Sequence, residues 1–188
     1  PDDPRSASVF RRVFEQVTDG EYDTKYLRIG TYNPQTGKYK ECCDDPEKCG
    51  DDLIIEPGKA YWFFTFRDVK EISFDGISVS TEHPFDLKLA YQKDDNGEDG
   101  WNMVGCPADA EYSWNDLEVL QFNDKNEVVK TVTIFSDDNN LVDQRLWRWS
   151  TDVGEYVYYH PEGVDVGGHE PDPDPRPSVM KPKGGYWV

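Results

Sequence analysis

The sequence is poor in the residues that most often carry chemistry. It holds three histidines, His83, His160 and His169, and none of them forms a metal-type His pair. No Gly-x-Ser-x-Gly, Walker or Gly-x-Gly-x-x-Gly phrase occurs, so nucleophile-elbow hydrolases and phosphate-cradling folds lose their usual signatures. The four cysteines lie outside any Cys-x-x-Cys or Cys-x-x-Cys-His pattern, which argues against zinc-ribbon, thioredoxin-like and c-type haem readings. Basic residues are scarce. Lys plus Arg number 20 against 38 Asp plus Glu, a formal charge of −18, so a phosphate backbone or an anionic membrane is repelled over most of the surface. No run approaches the roughly 20 apolar residues of a membrane span, and no signal peptide opens the sequence. Catalysis, nucleic acid and membrane insertion are therefore not expected.

Aromatic residues are abundant. They make up 14% of the 188 residues, with six Trp and eleven Tyr, which predicts a packed core even though 31% of the chain is charged. Apolar and polar residues alternate in "EISFDGISVS" (71–80) and "PFDLKLAY" (84–91), and β-branched residues crowd "EVVKTVTIF" (127–135). Turn-rich breaks such as "NPQTG", "DDNGEDG", "SDDNN" and "PDPDPRP" separate these runs. Helical spacing is confined to "SASVFRRVFEQV" (6–17), with "SWNDLEVLQF" (113–122) as a shorter counterpart.

Three phrases occur twice in the same order. "PDDPRSASVF" from Pro1 resembles "PADAEYSWNDL" from Pro107, and "YNPQTGKY" (32–39) lies over "WSTDVGEY" (149–156) without a gap. "EPGKAYWFF" (56–64) returns as "KPKGGYWV" (181–188). Growing offsets between ordered matches are the mark of a duplicated unit with insertions in its second copy. The predicted organisation is a first β-repeat over 1–90 and a second over 91–188, packed as one unit. Ahead of Pro107 the second copy carries "GWNMVGC" (100–106), a strand with no counterpart before Pro1. The first repeat thus lacks its first strand, supplied either by a longer polypeptide or by a neighbouring subunit at an open edge.

"GWNMVGCP", "YSWNDLEV", "LWRWSTDVGEY" and "MKPKGGYWV" together resemble β-rich modules of large secreted or surface proteins of bacteria. Those modules carry a Gly-Trp-Asn-Leu-(Val/Ile)-Gly-Asn-Pro strand and a Leu-(Glu/Gln)-Pro-Gly-(Lys/Arg)-Gly-Tyr-Trp strand. The first half repeats the pattern as "LRIGTYNPQTGKY" and "IIEPGKAYWFF", so the resemblance covers most of the chain. It implies an appended extracellular module without a catalytic role. Cys106 stands where that pattern usually has Asn.

Three sets of candidate site residues emerge. Cys42, Cys43, Cys49 and Cys106 are even in number and predict an oxidising compartment with up to two disulfides. Adjacent Cys42 and Cys43 are too close to pair without strain, so one would join Cys49 and the other Cys106. Asp94, Asp95, Asn96, Glu98 and Asp99 surround Gly97 in an oxygen-rich turn, the kind of loop that holds calcium, with Asp137 and Asp138 as a weaker echo; a solvated hairpin turn is the simpler reading. Calcium is the one cofactor the sequence suggests. Trp147 and Trp149 share one strand face around Arg148 and are candidates for stacking on sugar rings. Tyr61, Trp62, Tyr186 and Trp187, in the repeated strands, are expected to pack the core between the halves.

The expected fold is all-β, a sandwich or sandwich-like barrel of two related halves with at most one short helix in each. The expected function is non-catalytic and extracellular: a structural or interaction protein of a bacterial surface assembly or filament, associating with itself or with neighbouring domains through β-edges. The alternative is a carbohydrate-binding module that uses exposed Trp and Tyr to hold a glycan.

Overall fold

The computed structural model describes residues 15, 17, 25–41, 54–66, 79–90, 100–163 and 167–188. Strands dominate them: β1 (Leu27–Asn33), β2 (Lys38–Glu41), β3 (Trp62–Thr65), β4 (Met103–Gly105), β5 (Tyr112–Ser113), β6 (Glu118–Phe122), β7 (Val128–Thr133), β8 (Leu146–Ser150), β9 (Glu155–Tyr159), β10 (Val179–Met180) and β11 (Gly185–Trp187). The all-β expectation holds, and the strands pair antiparallel in the orders β2-β1-β3, β4-β11-β8-β9, β10-β5 and β6-β7. Helical conformation among the described residues is limited to Glu15, Val17 and the 3-10 turn Trp114–Asp116. The rest of the 6–17 helix candidate lies outside the described residues; Val17 is fully buried.

Two local expectations are corrected. The segment 113–122 turns once and then extends, because Leu117 adopts ψ 143° and 118–122 pairs with β7. Alternation in "EVLQF" suits a strand, and the neighbouring β-branched strand captures it. The segment 84–90 is not assigned to a strand. Leu87 and Phe85 lie over Gly58, where an added Cβ would stand 2.6 Å from Leu87 Cδ1 and 2.9 Å from Phe85 Cε1. The Asn102 side chain ties off the segment's end: its Oδ1 accepts from the Ala90 N–H at 2.9 Å and its Nδ2 donates to the Ala90 carbonyl at 3.1 Å.

β4 pairs on both of its sides. Val104 faces Tyr186 in β11 on one side and Lys59 on the other. Next to the latter pair, the Gly105 N–H donates to the Gly58 carbonyl at 2.8 Å and the Ala60 N–H to the Met103 carbonyl at 3.4 Å. The backbone at 58–60 leads into β3, so β4 borders both the first Tyr-Trp strand and the second. A Cβ at Gly105 would stand 2.7 Å from the Lys59 carbonyl oxygen, a distance real Cβ contacts do not reach. The glycine in "VGC" thus allows the close approach that joins the two sheets.

Segments matched in the sequence adopt corresponding geometry. Tyr32 faces Tyr39 across the β1–β2 hairpin, as Trp149 faces Tyr156 across β8–β9. Gly37 and Gly154 close the two turns at φ 63° and 75°. Gly30 faces Trp62, and 117 and 125 residues later Trp147 faces Trp187. Gly58 and Lys183 occupy the same place in the two Pro-containing turns, and both have positive φ, 80° and 64°. The Tyr61 hydroxyl accepts from the Glu56 N–H at 2.9 Å and donates to the Ile54 carbonyl at 3.0 Å. Tyr186 repeats this arrangement with the Lys181 N–H at 2.7 Å and the Val179 carbonyl at 3.4 Å.

Strand alternation gives the β4-β11-β8-β9 sheet two different faces. One carries Val104, Leu146, Tyr186 and the adjoining Val188, which join Trp114, Ile134 and Met180 in a buried core cluster beneath the smaller sheets. The Trp114 indole is anchored there by donating to the Gln144 carbonyl at 2.8 Å. The Pro-rich segment, read in the sequence as a stiff exposed loop, is strapped down. Pro171 bridges Tyr158, the Asp172 N–H donates to the Tyr158 carbonyl at 2.8 Å, and Arg148 grips Asp172 through two guanidinium nitrogens. Lys181–Asp174 and Arg176–Glu111 pairs continue the strap. These pairings hold the Asp174 and Glu111 carboxyls below the usual carboxylate range, through Lys181 and Arg176 respectively.

Candidate functional site

The opposite face of that sheet is aromatic. Trp187, Trp147 and Tyr158 follow one another across β11, β8 and β9, with Trp149 and Tyr156 one step along the same face. On β1, β2 and β3 the corresponding face carries Tyr32, Tyr39, Trp62 and Phe64. The two faces meet reciprocally. Trp62 packs edge-on against Trp149 and Tyr156, with ring centroids 6.4 and 6.3 Å apart. Trp187 packs edge-on against Tyr32 and Tyr39 at 5.0 and 6.4 Å. This aromatic seam between the two sheets uses the perpendicular ring geometry that aromatic quadrupoles favour.

Where the seam opens it leaves a cleft of about 340 Å³. Its described lining holds two groups of touching rings, Tyr32, Tyr39 and Tyr156 around Trp187, and Trp101 and His169 around Trp147. Trp101 stands at 85° to Trp147 and His169 at 87° to it, so these rings form corners rather than a flat platform. Trp101 and Tyr39 are 43% and 56% exposed and reachable from solvent, while Trp147, at 7%, is a buried wall. The buried Trp147 indole Nε1 has no hydrogen-bond partner among the described residues. The Tyr156 hydroxyl is pushed up to about 12, first by burial and then by the neighbouring Tyr39, against the opposing hydrogen bond from Trp187. It therefore stays protonated at neutral pH.

The sequence-predicted site residues separate in the structure. Trp147 lines the cleft, whereas Trp149, 41% exposed, packs on Trp62 and Tyr156 and borders a polar groove with Arg148, Asp172 and Lys181. Trp62 and Trp187 lie in the seam, while Tyr61 and Tyr186 turn away from it to brace their own turns. Burial is the main cause that pushes the Tyr61 hydroxyl to about 12 and raises that of Tyr186.

Cys106 is corrected. Its thiol is free and points into the 107–110 turn, donating to the carbonyls of Ala108 and Ala110 at 3.3 and 3.0 Å, so the expected bridge to it is not formed. Burial pushes this thiol above its ordinary pKa. Cys42, Cys43 and Cys49 lie outside the described residues, as do Asp94, Asp95, Asn96, Glu98 and Asp99. In the weaker acidic echo, the Asn139 side chain does the closing. Its Nδ2 donates to the carbonyls of Ile134 and Val142 at 2.6 and 3.1 Å, leaving Asp137 and Asp138 exposed. Among the described residues no group of three or more His, Cys, Asp or Glu gathers to hold a metal ion, and no helix is long and apolar enough to cross a membrane.

Tyr32, Tyr39, Tyr156 and His169 were not singled out as binding residues from sequence. For the three tyrosines the signal was present, since the matched hairpins place an aromatic pair at the mouth of each turn. Comparison with protein-family models, curated proteins and solved structures gives no match.

Proposed function

We propose that this chain is a non-catalytic interaction module of a bacterial secreted or surface protein, with two duplicated halves that fold as one unit and hold a partner in the cleft between them. The observation that carries this reading is the open aromatic cleft on a seam whose other rings are closed against one another. A cleft walled by rigid aromatic side chains offers large contact area at low entropic cost, the usual make-up of a binding hot spot. Corresponding registers, turn dihedrals and tyrosine anchors in the two halves support duplication. The extracellular setting rests on the resemblance in the repeated strands, and the free Cys106 thiol adds nothing to it.

Association through β-edges, the route to a filament, has less support. β4 occupies the edge at 58–60, and the 170–172 strap bridges β9 at Tyr158. Both arrangements cover sheet edges that would otherwise template another chain. Light scattering and negative-stain microscopy at physiological salt are expected to show discrete particles of a single 21.7 kDa chain. Regular filaments or sheets would replace the module reading with that of an assembling subunit.

A further inference from the structure

We infer that the cleft is a binding site for an uncharged carbohydrate segment. The inference rests on the module reading and names the occupant of its cleft. Three observations select this ligand class.

The first is charge. Among the described residues no carboxylate, lysine or arginine lines the cleft, so none of them pairs there with a charged ligand. The formal charge of −18 repels acidic glycans at longer range. A cationic ligand is disfavoured locally, because the Arg145 guanidinium already sits 5.8 Å from the centroid of the Trp147 ring, where a ligand cation would seek the ring face.

The second is the kind of polarity present. Tyrosine hydroxyls and an imidazole both donate and accept hydrogen bonds, as do the hydroxyls of a sugar. Tyr156 remains a protonated phenol at neutral pH. Aromatic faces beside such groups suit a ring that has apolar C–H faces and a hydroxylated rim.

The third is size and form. About 340 Å³ lies at the lower end of the roughly 300–1,000 Å³ typical of small-molecule sites, which suits a short glycan segment. The near-perpendicular Trp101 and Trp147 let one ring stack on a sugar while the other closes its side.

The test is a glycan array carrying neutral and acidic glycans, followed by titration of the best neutral oligosaccharide monitored by tryptophan fluorescence. Saturable binding of a neutral glycan is expected. Trp101→Ala should weaken it roughly 10- to 100-fold, the loss expected for a stacking anchor. Phe122→Ala, at an exposed position of the β6-β7 sheet and not among the residues that line the cleft, should leave affinity within about twofold. Trp101 is half exposed, so its removal is expected to leave the fold intact, and an unchanged circular dichroism melt checks this. No binding to any neutral glycan, or binding insensitive to Trp101→Ala, overturns the inference. A proline-rich decapeptide is tested in parallel. If it binds in a Trp101-dependent way and no glycan does, the carbohydrate assignment falls while the module reading stands.

Discussion

Trp114→Ala is expected to destabilise the protein by about 3–5 kcal/mol, lowering its melting temperature by roughly 6–20 °C. Trp114 is 3% exposed and sits where β4, β8, β10 and β11 converge, packed among Val104, Leu146, Met180 and Tyr186. Truncation removes the largest side chain of that cluster and leaves a cavity that several short strands on different sheets cannot close by moving together. It also strips the Gln144 carbonyl of its indole donor. Trp114→Phe separates the two effects, since it keeps most of the apolar volume and loses the hydrogen bond. A loss of about 1–2 kcal/mol is expected for it. Chemical denaturation of both variants measures the difference, and equal losses would mean that the hydrogen bond, not the packing, dominates at this position.

Asp172→Ala is expected to cost about 3 kcal/mol, with the damage centred on the outer edge of β9. The Asp172 side chain is 3% exposed and receives two hydrogen bonds from Arg148, whose own side chain is 25% exposed. Arg148 is held charged by this partner, its pKa raised first by the Asp172 hydrogen bonds against the opposing effect of burial. Removing the carboxylate leaves a largely desolvated guanidinium without its counter-charge, which is the expensive way to break a buried pair. Replacing both partners, as Arg148→Met with Asp172→Leu, removes the charges together and should recover most of the loss. Hydrogen exchange gives the location. The Asp172 amide, which donates to the Tyr158 carbonyl, should exchange faster in Asp172→Ala as the strap lifts. Unchanged protection there would mean that the backbone pairing holds the strap without the ion pair.

The strand content of this chain was legible because β-branched runs and glycine or proline breaks are local signals, as in β7 and in the β8–β9 hairpin. Pairing was less so. β4 has three residues, and its position between 58–60 and β11 depends on segments over 40 residues away on one side and about 80 on the other. Gly105 carried a hint of close backbone approach, but its neighbour could not be named from sequence. Trp147 and Trp149 were correctly placed on one face by the period of two, yet their fates differ. Trp147 is flanked by Trp187 and Tyr158 on neighbouring strands, whereas Trp149 lies at the hairpin end. The Pro-rich segment read as a stiff free loop because its anchor, Arg148, sits between two tryptophans on a distant strand and faces away from them.

The cleft was the least legible feature, since its walls come from two hairpins, from Trp101 and from His169. Sequence placed Tyr61 and Trp62, and Tyr186 and Trp187, in repeated strands, but not the alternation that sends each tryptophan into the seam and each tyrosine back to its own turn.

The account depends on the two halves behaving as one folded body joined through β4 and the aromatic seam. Differential scanning calorimetry tests this most directly. The account predicts one transition whose calorimetric and van't Hoff enthalpies agree, with Trp62→Ala and Trp187→Ala each lowering that same transition. Two resolved transitions, with each substitution shifting only one of them, would contradict it.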